Sequence, residues 1–225
     1  MSYTYSQQRA AGASTIIQQA FAWMFGGLLA TAGAAVFGAS SQPFQHALAT
    51  NQILFFGLII GELGLVFVIS AGITRLAPAT AIVLYLVYAV LNGLTFSSIF
   101  LIYTGQSIAA AFLSTALIFG VMSLYGYTTK KDLSAIGSIA MMALIGLIIA
   151  SLVNMFLRSG PMGYLLSCGA ILIFTLLTAY DTQKLKNLSE TMGNANLGIY
   201  GALTLYLDFI NIFLSFLRIF GNSRD

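Results

Sequence analysis

Two aspartates, Asp181 and Asp208, stand in the last two apolar stretches of this 225-residue chain. Asp181 ends the run Ile171–Tyr180, and Asp208 interrupts Leu197–Phe220. A carboxylate in hydrocarbon costs about 2.5–3.5 kcal/mol or more, so each reads as a functional group with a partner. The connection between the two stretches carries its turn residues at Gly193-Asn194. Asp181 precedes that turn by 12–13 residues and Asp208 follows it by 14–15. In an antiparallel hairpin, at about 1.5 Å per residue, that mismatch is a few ångströms. The two carboxyls are therefore predicted to face each other. Two carboxylates that close cannot both ionise cheaply. The pair is expected to share one proton near neutral pH and to lose it as pH rises. Repulsion would then push the helices apart or call in a cation, which makes a pH-biased two-state element. The same oxygens suit Ca²⁺, a hard ion that takes carboxylate and carbonyl ligands. Two carboxylates alone imply weak or transit binding at Asp181 and Asp208.

Further polar groups extend the pattern. Thr204, Asp208, Asn211 and Ser215 lie at offsets of 0, 4, 7 and 11, which puts them on one helix face. Thr175, Thr178 and Asp181 share a face of the preceding helix, and Tyr85, Tyr88, Asn92 and Thr95 lie on an earlier one. Such faces are expected to turn inward. They either line a conduit or only hydrogen-bond between helices. Glu62 is a third acid in apolar sequence, expected to be functional or a hydrogen-bonded structural acid. Arg75 ends the second apolar stretch and is either a partner for Asp181 or a topology-setting charge. Arg218 lies near the end of the last stretch, where it snorkels to the interface or pairs with an interior acid.

The elements that carry these residues follow from composition. The chain is 59% hydrophobic and 7% charged, against roughly 25% charged for a soluble domain. A lipid-facing surface accounts for the difference. Seven apolar runs are long enough for a hydrocarbon layer of about 30 Å: Phe21–Ser40, Ile53–Ile73, Pro78–Tyr103, Ile108–Tyr127, Ile136–Phe156, Met162–Tyr180 and Leu197–Phe220. The predicted fold is an all-α membrane protein of seven transmembrane helices with the last helix central. Residues 1–20 form a polar cytoplasmic segment, and 21–225 form one transmembrane domain. Arg9, Arg75, Lys130, Lys131, Lys184 and Lys186 fall on one side of such a topology, and Arg158, Arg218 and Arg224 on the other. The positive-inside rule then places the N-terminus in the cytoplasm and the C-terminus outside. Small residues at Gly27, Thr31, Ala34 and Gly38, and again at Gly57, Gly61 and Gly64, predict close helix packing.

Other chemistries find little to draw on. His46 is the only histidine and Cys168 the only cysteine, so neither a His-dependent triad nor an internal disulfide is available. No basic block with interleaved aromatics points to nucleic acid. An enzyme is not expected, nor is a bound cofactor.

The strings Thr178-Ala-Tyr-Asp181-Thr-Gln183 and Leu205-Tyr-Leu-Asp208-Phe-Ile-Asn211-Ile-Phe213 closely resemble the transmembrane Bax inhibitor motif, or Bax inhibitor-1, family. Lys130-Lys-Asp-Leu-Ser134, Asn154-Met-Phe156 and Phe216-Leu-Arg-Ile-Phe-Gly221 also fit, so the resemblance covers the chain from its first span. The resemblance implies a seven-helix bundle with its last helix at the centre and a pH-sensitive Ca²⁺ leak, with Asp181 and Asp208 as the pH sensor. It also implies an arginine latch on the first aspartate, for which Arg75 is the nearest candidate. Glu62 and Arg218 fall where an acid and an arginine occur in such members. Asn211 and Thr204 join them as possible pore residues. Ca²⁺ enters as the transported ion, alongside protons and the lipid bilayer. Some bacterial relatives instead bind a membrane-anchored AAA protease, which makes a non-conducting regulator the alternative, though those relatives lack the aspartate pair. A bacterial cytoplasmic membrane is the expected location.

Overall fold

A computed structural model describes residues 2–73, 75–191 and 196–221, with side chains from residue 15 onward. The turn expected at Gly193-Asn194 and the charge at Arg224 lie outside the described residues, as does the side chain of Arg9. Regular structure among the described residues is helical: α1 Ser2–Ser40, α2 Gln42–Thr50, α3 Gln52–Gly72, α4 Pro78–Phe96, α5 Ile99–Ile102, α6 Gly105–Thr128, α7 Ser134–Leu157, α8 Gly160–Thr191 and α9 Leu197–Phe220. Among the described residues, seven helical stretches are long and apolar enough to cross a membrane. The polar N-terminal residues continue into the first span as one helix, α1.

Local chemistry sets the boundaries. Asn51 caps α3 by accepting from the Leu54 N–H at 3.1 Å, and Thr104 caps α6 by accepting from Ser107 at 3.2 Å. Pro78 opens α4, where a missing N–H costs nothing. The third span is not one uninterrupted helix. Ser97 and Ser98 donate their hydroxyls to carbonyls three residues back, at 2.6 and 3.1 Å, and α4 stops there. Side-chain competition of this kind interrupts the helical ladder. Asp132, exposed before α7, accepts from the Ser134 N–H at 2.9 Å, and that bonding holds its carboxyl below the usual carboxylate range.

The chain divides into two compact units. The first contains Met1–Tyr103 and Asn187–Tyr206. In it α1 packs directly on α4. A side chain on Gly93 would strike the Thr31 carbonyl, one on Gly27 the Tyr85 phenol, and one on Gly38 the Ser97 side chain. The small-residue stripe of α1 is thus a packing seam. The Gly57, Gly61 and Gly64 stripe of α3 is not, because a Cβ at any of them meets open space.

The second unit contains Thr104–Lys186 and Leu207–Ser223. Gly126 of α6 lies against the Ala179 backbone of α8, and Gly137 of α7 lies against the Tyr180 ring. Phe209 sits edge-on to Phe112 and Phe119, with ring centres 5.4 and 5.5 Å away. Gln183 fastens the α6–α7 loop to α8. It accepts from the Leu133 N–H at 2.9 Å and donates to the Lys131 carbonyl at 2.8 Å.

Burial is uneven. The apolar window of α9 is 61% buried and that of α3 only 6%. Phe37, Ile53, Phe67, Leu117 and Phe156 are all exposed, as side chains that face hydrocarbon should be. With helical structure and seven such spans among its described residues, the protein is an integral membrane protein.

Candidate functional site

Asp208 sits in the middle of α9 with only 4% of its surface exposed. Its Oδ2 is buried and makes no hydrogen bond. An orphaned buried acceptor costs about 1–3 kcal/mol, and a charged one more. Such an atom holds a proton, meets a cation or carries a cost. Asp181 is the charge that acts on it, so the two carboxyls lie within electrostatic reach. Both belong to the second unit. Asp181 is partly buried and feels the ammonium of Lys184, nearly one turn on. Lys184 also lies 5.8 Å from the Tyr180 ring centre. Sequence reasoning placed Asp181 at the end of a span, yet α8 runs on to Thr191. The carboxyl therefore stands inside a helix, with Thr182, Gln183 and Leu185 buried behind it.

The hydroxyls that share the seams do not donate to either carboxyl. Thr178 and Thr182 of α8 donate to the Phe174 and Thr178 carbonyls, both at 2.7 Å. On α9, Thr204 donates to the Tyr200 carbonyl at 3.0 Å and Ser215 to the Asn211 carbonyl at 2.7 Å. Asn211 donates its Nδ2 to the Leu207 carbonyl at 2.8 Å. Every one of these donors is used on its own helix. What the side chains keep available is acceptor oxygen. Among the described residues, no group of three His, Cys, Asp or Glu gathers to hold a metal.

Glu62 has a different setting. On α3, part-buried, it accepts from Asn92 Nδ2 at 3.1 Å and from the Thr95 hydroxyl at 2.5 Å. Asn92 Oδ1 accepts from the Tyr206 hydroxyl at 3.2 Å, which lies 2.7 Å from the Thr31 hydroxyl. Thr31 reaches the Ala89 carbonyl at 2.9 Å. A continuous network thus ties α3, α4, α1 and the first part of α9 together within the first unit. Tyr206 is its hub: fully buried, and edge-on to Tyr85 and Tyr88 at 6.2 and 5.6 Å. The sequence singles out Glu62, Asn92, Thr95 and both tyrosines of α4, and Thr31 only as a small packing residue, while Tyr206 stands in a motif string with no role of its own. The available signal was a tyrosine two residues before Asp208, roughly 200° round the same helix. Its polar tip had to find a partner on a face other than the carboxylate's.

Arg75 is exposed in the turn after α3, in the first unit. Its N–H donates to the Gly72 carbonyl at 2.8 Å. Arg218 is exposed near the end of α9 in the second unit, where it lines a cavity of about 540 Å³ with residues of α7 and α8.

Comparison with known proteins follows the same lines. The family model described as Inhibitor of apoptosis-promoting Bax1 matches residues 13–225. The chain is 50% identical over 223 residues to the inner membrane protein YbhL of Escherichia coli (strain K12), covering 96% of this chain and 95% of the relative. It is 45% identical over 204 residues to an uncharacterised protein of Rickettsia prowazekii (strain Madrid E), covering 88% and 85%. An uncharacterised protein of Borreliella burgdorferi is 41% identical over 214 residues, covering 93% and 92%.

Proposed function

We propose a function from one premise: this chain belongs to the Bax inhibitor-1 family of integral membrane proteins. On that premise it passes Ca²⁺ down its gradient, and Asp181 and Asp208 are the proton-sensitive gate. One observation supports the gate above all others. A carboxylate oxygen of Asp208 is buried without a hydrogen-bond partner, and the neighbouring acid is Asp181. With one proton between them, the pair carries a single negative charge and the helices stay together, which is the shut state. When that proton leaves, two anions face each other in a poorly solvated place. The helices separate or a cation enters. Ca²⁺ is the cation because it prefers oxygen donors, and within the second unit Thr182, Asn211 and Ser215 keep acceptor oxygens. The family resemblance points to the same ion. Lipid surrounds the spans, and the positive-inside count puts the N-terminus in the cytoplasm.

The test is Ca²⁺ flux in proteoliposomes between pH 6 and 8. Wild type is compared with Asp181→Asn and Asp208→Asn. Flux that rises with pH in wild type and loses that dependence in both variants is the expected result. An identical pH profile in all three removes the gate. Absence of flux, together with stable copurification of another membrane protein, favours a non-conducting regulator.

A further inference from the structure

We infer that the cavity beside Arg218 is a binding site for the phosphodiester headgroup of an anionic membrane lipid. This reading is independent of the aspartate pair. The cavity, about 540 Å³, is lined by α7, α8 and the end of α9, all within the second unit. That volume falls in the range of small-molecule sites.

The chemistry of its lining is one-sided. Arg218 brings a guanidinium for which, among the described residues, no hydrogen bond or ion pair is found. Asn154 uses its Oδ1 to accept from the Ser159 N–H at 3.1 Å, and its Nδ2 lies toward Gly163 with no acceptor. Ser151 adds a hydroxyl, whereas the Ser167 hydroxyl is already given to the Gly163 carbonyl at 3.0 Å. Among the described residues, no carboxylate lines the cavity. An unpaired guanidinium beside uncommitted N–H and O–H donors is an anion site. The planar fork of arginine fits two phosphate oxygens at once.

Position selects the source of the phosphate. Arg218 lies two residues from the end of the last span, and Asn154 lies three from the end of α7. At about 1.5 Å per residue these are interfacial depths, where headgroups reside. Beside the cavity, Met155, Tyr164 and Leu165 are 62%, 55% and 68% exposed. They offer an apolar bed for acyl chains and, in Tyr164, an interfacial aromatic. Among the described residues, no acid or aromatic cage lines the cavity to hold the cation of a choline headgroup.

The experiment measures lipid binding to the purified full chain in detergent by native mass spectrometry and by the shift in melting temperature. Phosphatidylglycerol, phosphatidylcholine and inorganic phosphate are the three probes. The variants are Arg218→Gln, Arg218→Lys and Asn154→Asp. Asn154→Asp keeps the oxygen that accepts from Ser159 but places a carboxylate in the lining. Wild type should bind phosphatidylglycerol in preference to phosphatidylcholine. Arg218→Gln and Asn154→Asp should each weaken that binding roughly tenfold, with Arg218→Lys between. Equal binding of the two lipids, or binding unchanged in Asn154→Asp and Arg218→Gln, overturns the site. Stabilisation by inorganic phosphate equal to that by phosphatidylglycerol overturns the lipid as its occupant. Where Arg218→Gln is not recovered folded, the Asn154→Asp result decides.

Discussion

Adding one methyl group at Gly126 tests how Asp181 is held in place. A Cβ at Gly126 would run into the carbonyl of Ala179, two residues before Asp181. That atom belongs to helical backbone, so it cannot swing aside as a side-chain tip would. Overpacking of this kind costs about 1–3 kcal/mol. Against it stands the gain of replacing glycine by alanine inside a helix, about 1 kcal/mol. A reference glycine in another span separates the two effects. Gly61→Ala supplies it: a mid-helix glycine in an apolar span whose Cβ meets open space. Propensity cancels between the two variants, and their difference isolates the clash. Gly126→Ala should be less stable than Gly61→Ala by about 1–3 kcal/mol in reversible unfolding by titrated SDS in mixed micelles. Because α8 must move to make room, Ca²⁺ flux in proteoliposomes should also lose its wild-type pH profile in Gly126→Ala and keep it in Gly61→Ala. Equal stability of the two variants refutes the claim that α6 and α8 touch backbone to backbone. Lower stability with an unchanged flux profile refutes the link from that contact to the gate.

Further outcomes follow from other contacts. Tyr206→Phe removes the hydroxyl shared by Asn92 and Thr31 while keeping the ring, so it should cost about 1–3 kcal/mol in the same unfolding assay; a neutral result denies the network its structural role. Glu62→Leu strands the Asn92 and Thr95 donors and should destabilise more than Glu62→Gln, which retains an acceptor oxygen; equal losses would mean that the acid does not organise α3 on α4. Gln183→Leu leaves the Leu133 N–H and Lys131 carbonyl without their partner and should speed proteolysis in the α6–α7 loop. Arg158 ends α7 with a left-handed φ of 51°. Arg158→Gly should therefore be neutral or stabilising by up to about 1 kcal/mol, read as a melting temperature no lower than wild type.

The spans were legible because their rule is coarse. A helix in hydrocarbon needs about 20 apolar residues, and little else in this chain satisfies that rule by accident. Finer features depend on which atom a side chain finds. The α1 stripe and the α3 stripe look alike in sequence, yet only the first meets another helix, because Gly93 of α4 and Ser97 just past its end stand opposite it. Small residues permit close approach and do not cause it. The third span reads as continuous because serine is apolar enough to pass through a hydropathy window. Its break comes from two hydroxyls bonding back to Leu94 and Thr95, a local geometry that hydropathy does not register. Asp181 and Asp208 stood out because charge in apolar sequence is rare. Tyr206 did not, because a tyrosine in a membrane span is ordinary until its hydroxyl is seen to join two other helices.

A seam of Thr, Ser and Asn beside a carboxylate invites one reading, that the hydroxyls solvate the charge. The bonding reverses it. A hydroxyl in hydrocarbon gains by donating, and the nearest acceptor is the carbonyl one turn back on its own helix, although the buried Thr175 hydroxyl of α8 makes no such bond. Thr178, Thr182, Thr204 and Ser215 all take that route, and Asn211 does the same with its amide. Each such bond removes a donor and leaves lone pairs. A seam built this way is electronegative even where it carries no formal charge, and it does nothing to stabilise the anion of Asp208. At the Arg218 cavity Ser167 also donates one turn back, to the Gly163 carbonyl, but the asparagine reverses the pattern. That asparagine has used its acceptor on the Ser159 N–H, so its amide hydrogens remain available beside a guanidinium. The same few residue types thus yield a cation-seeking surface in one place and an anion-seeking one in another, and what differs is which half of each polar group the backbone has already taken.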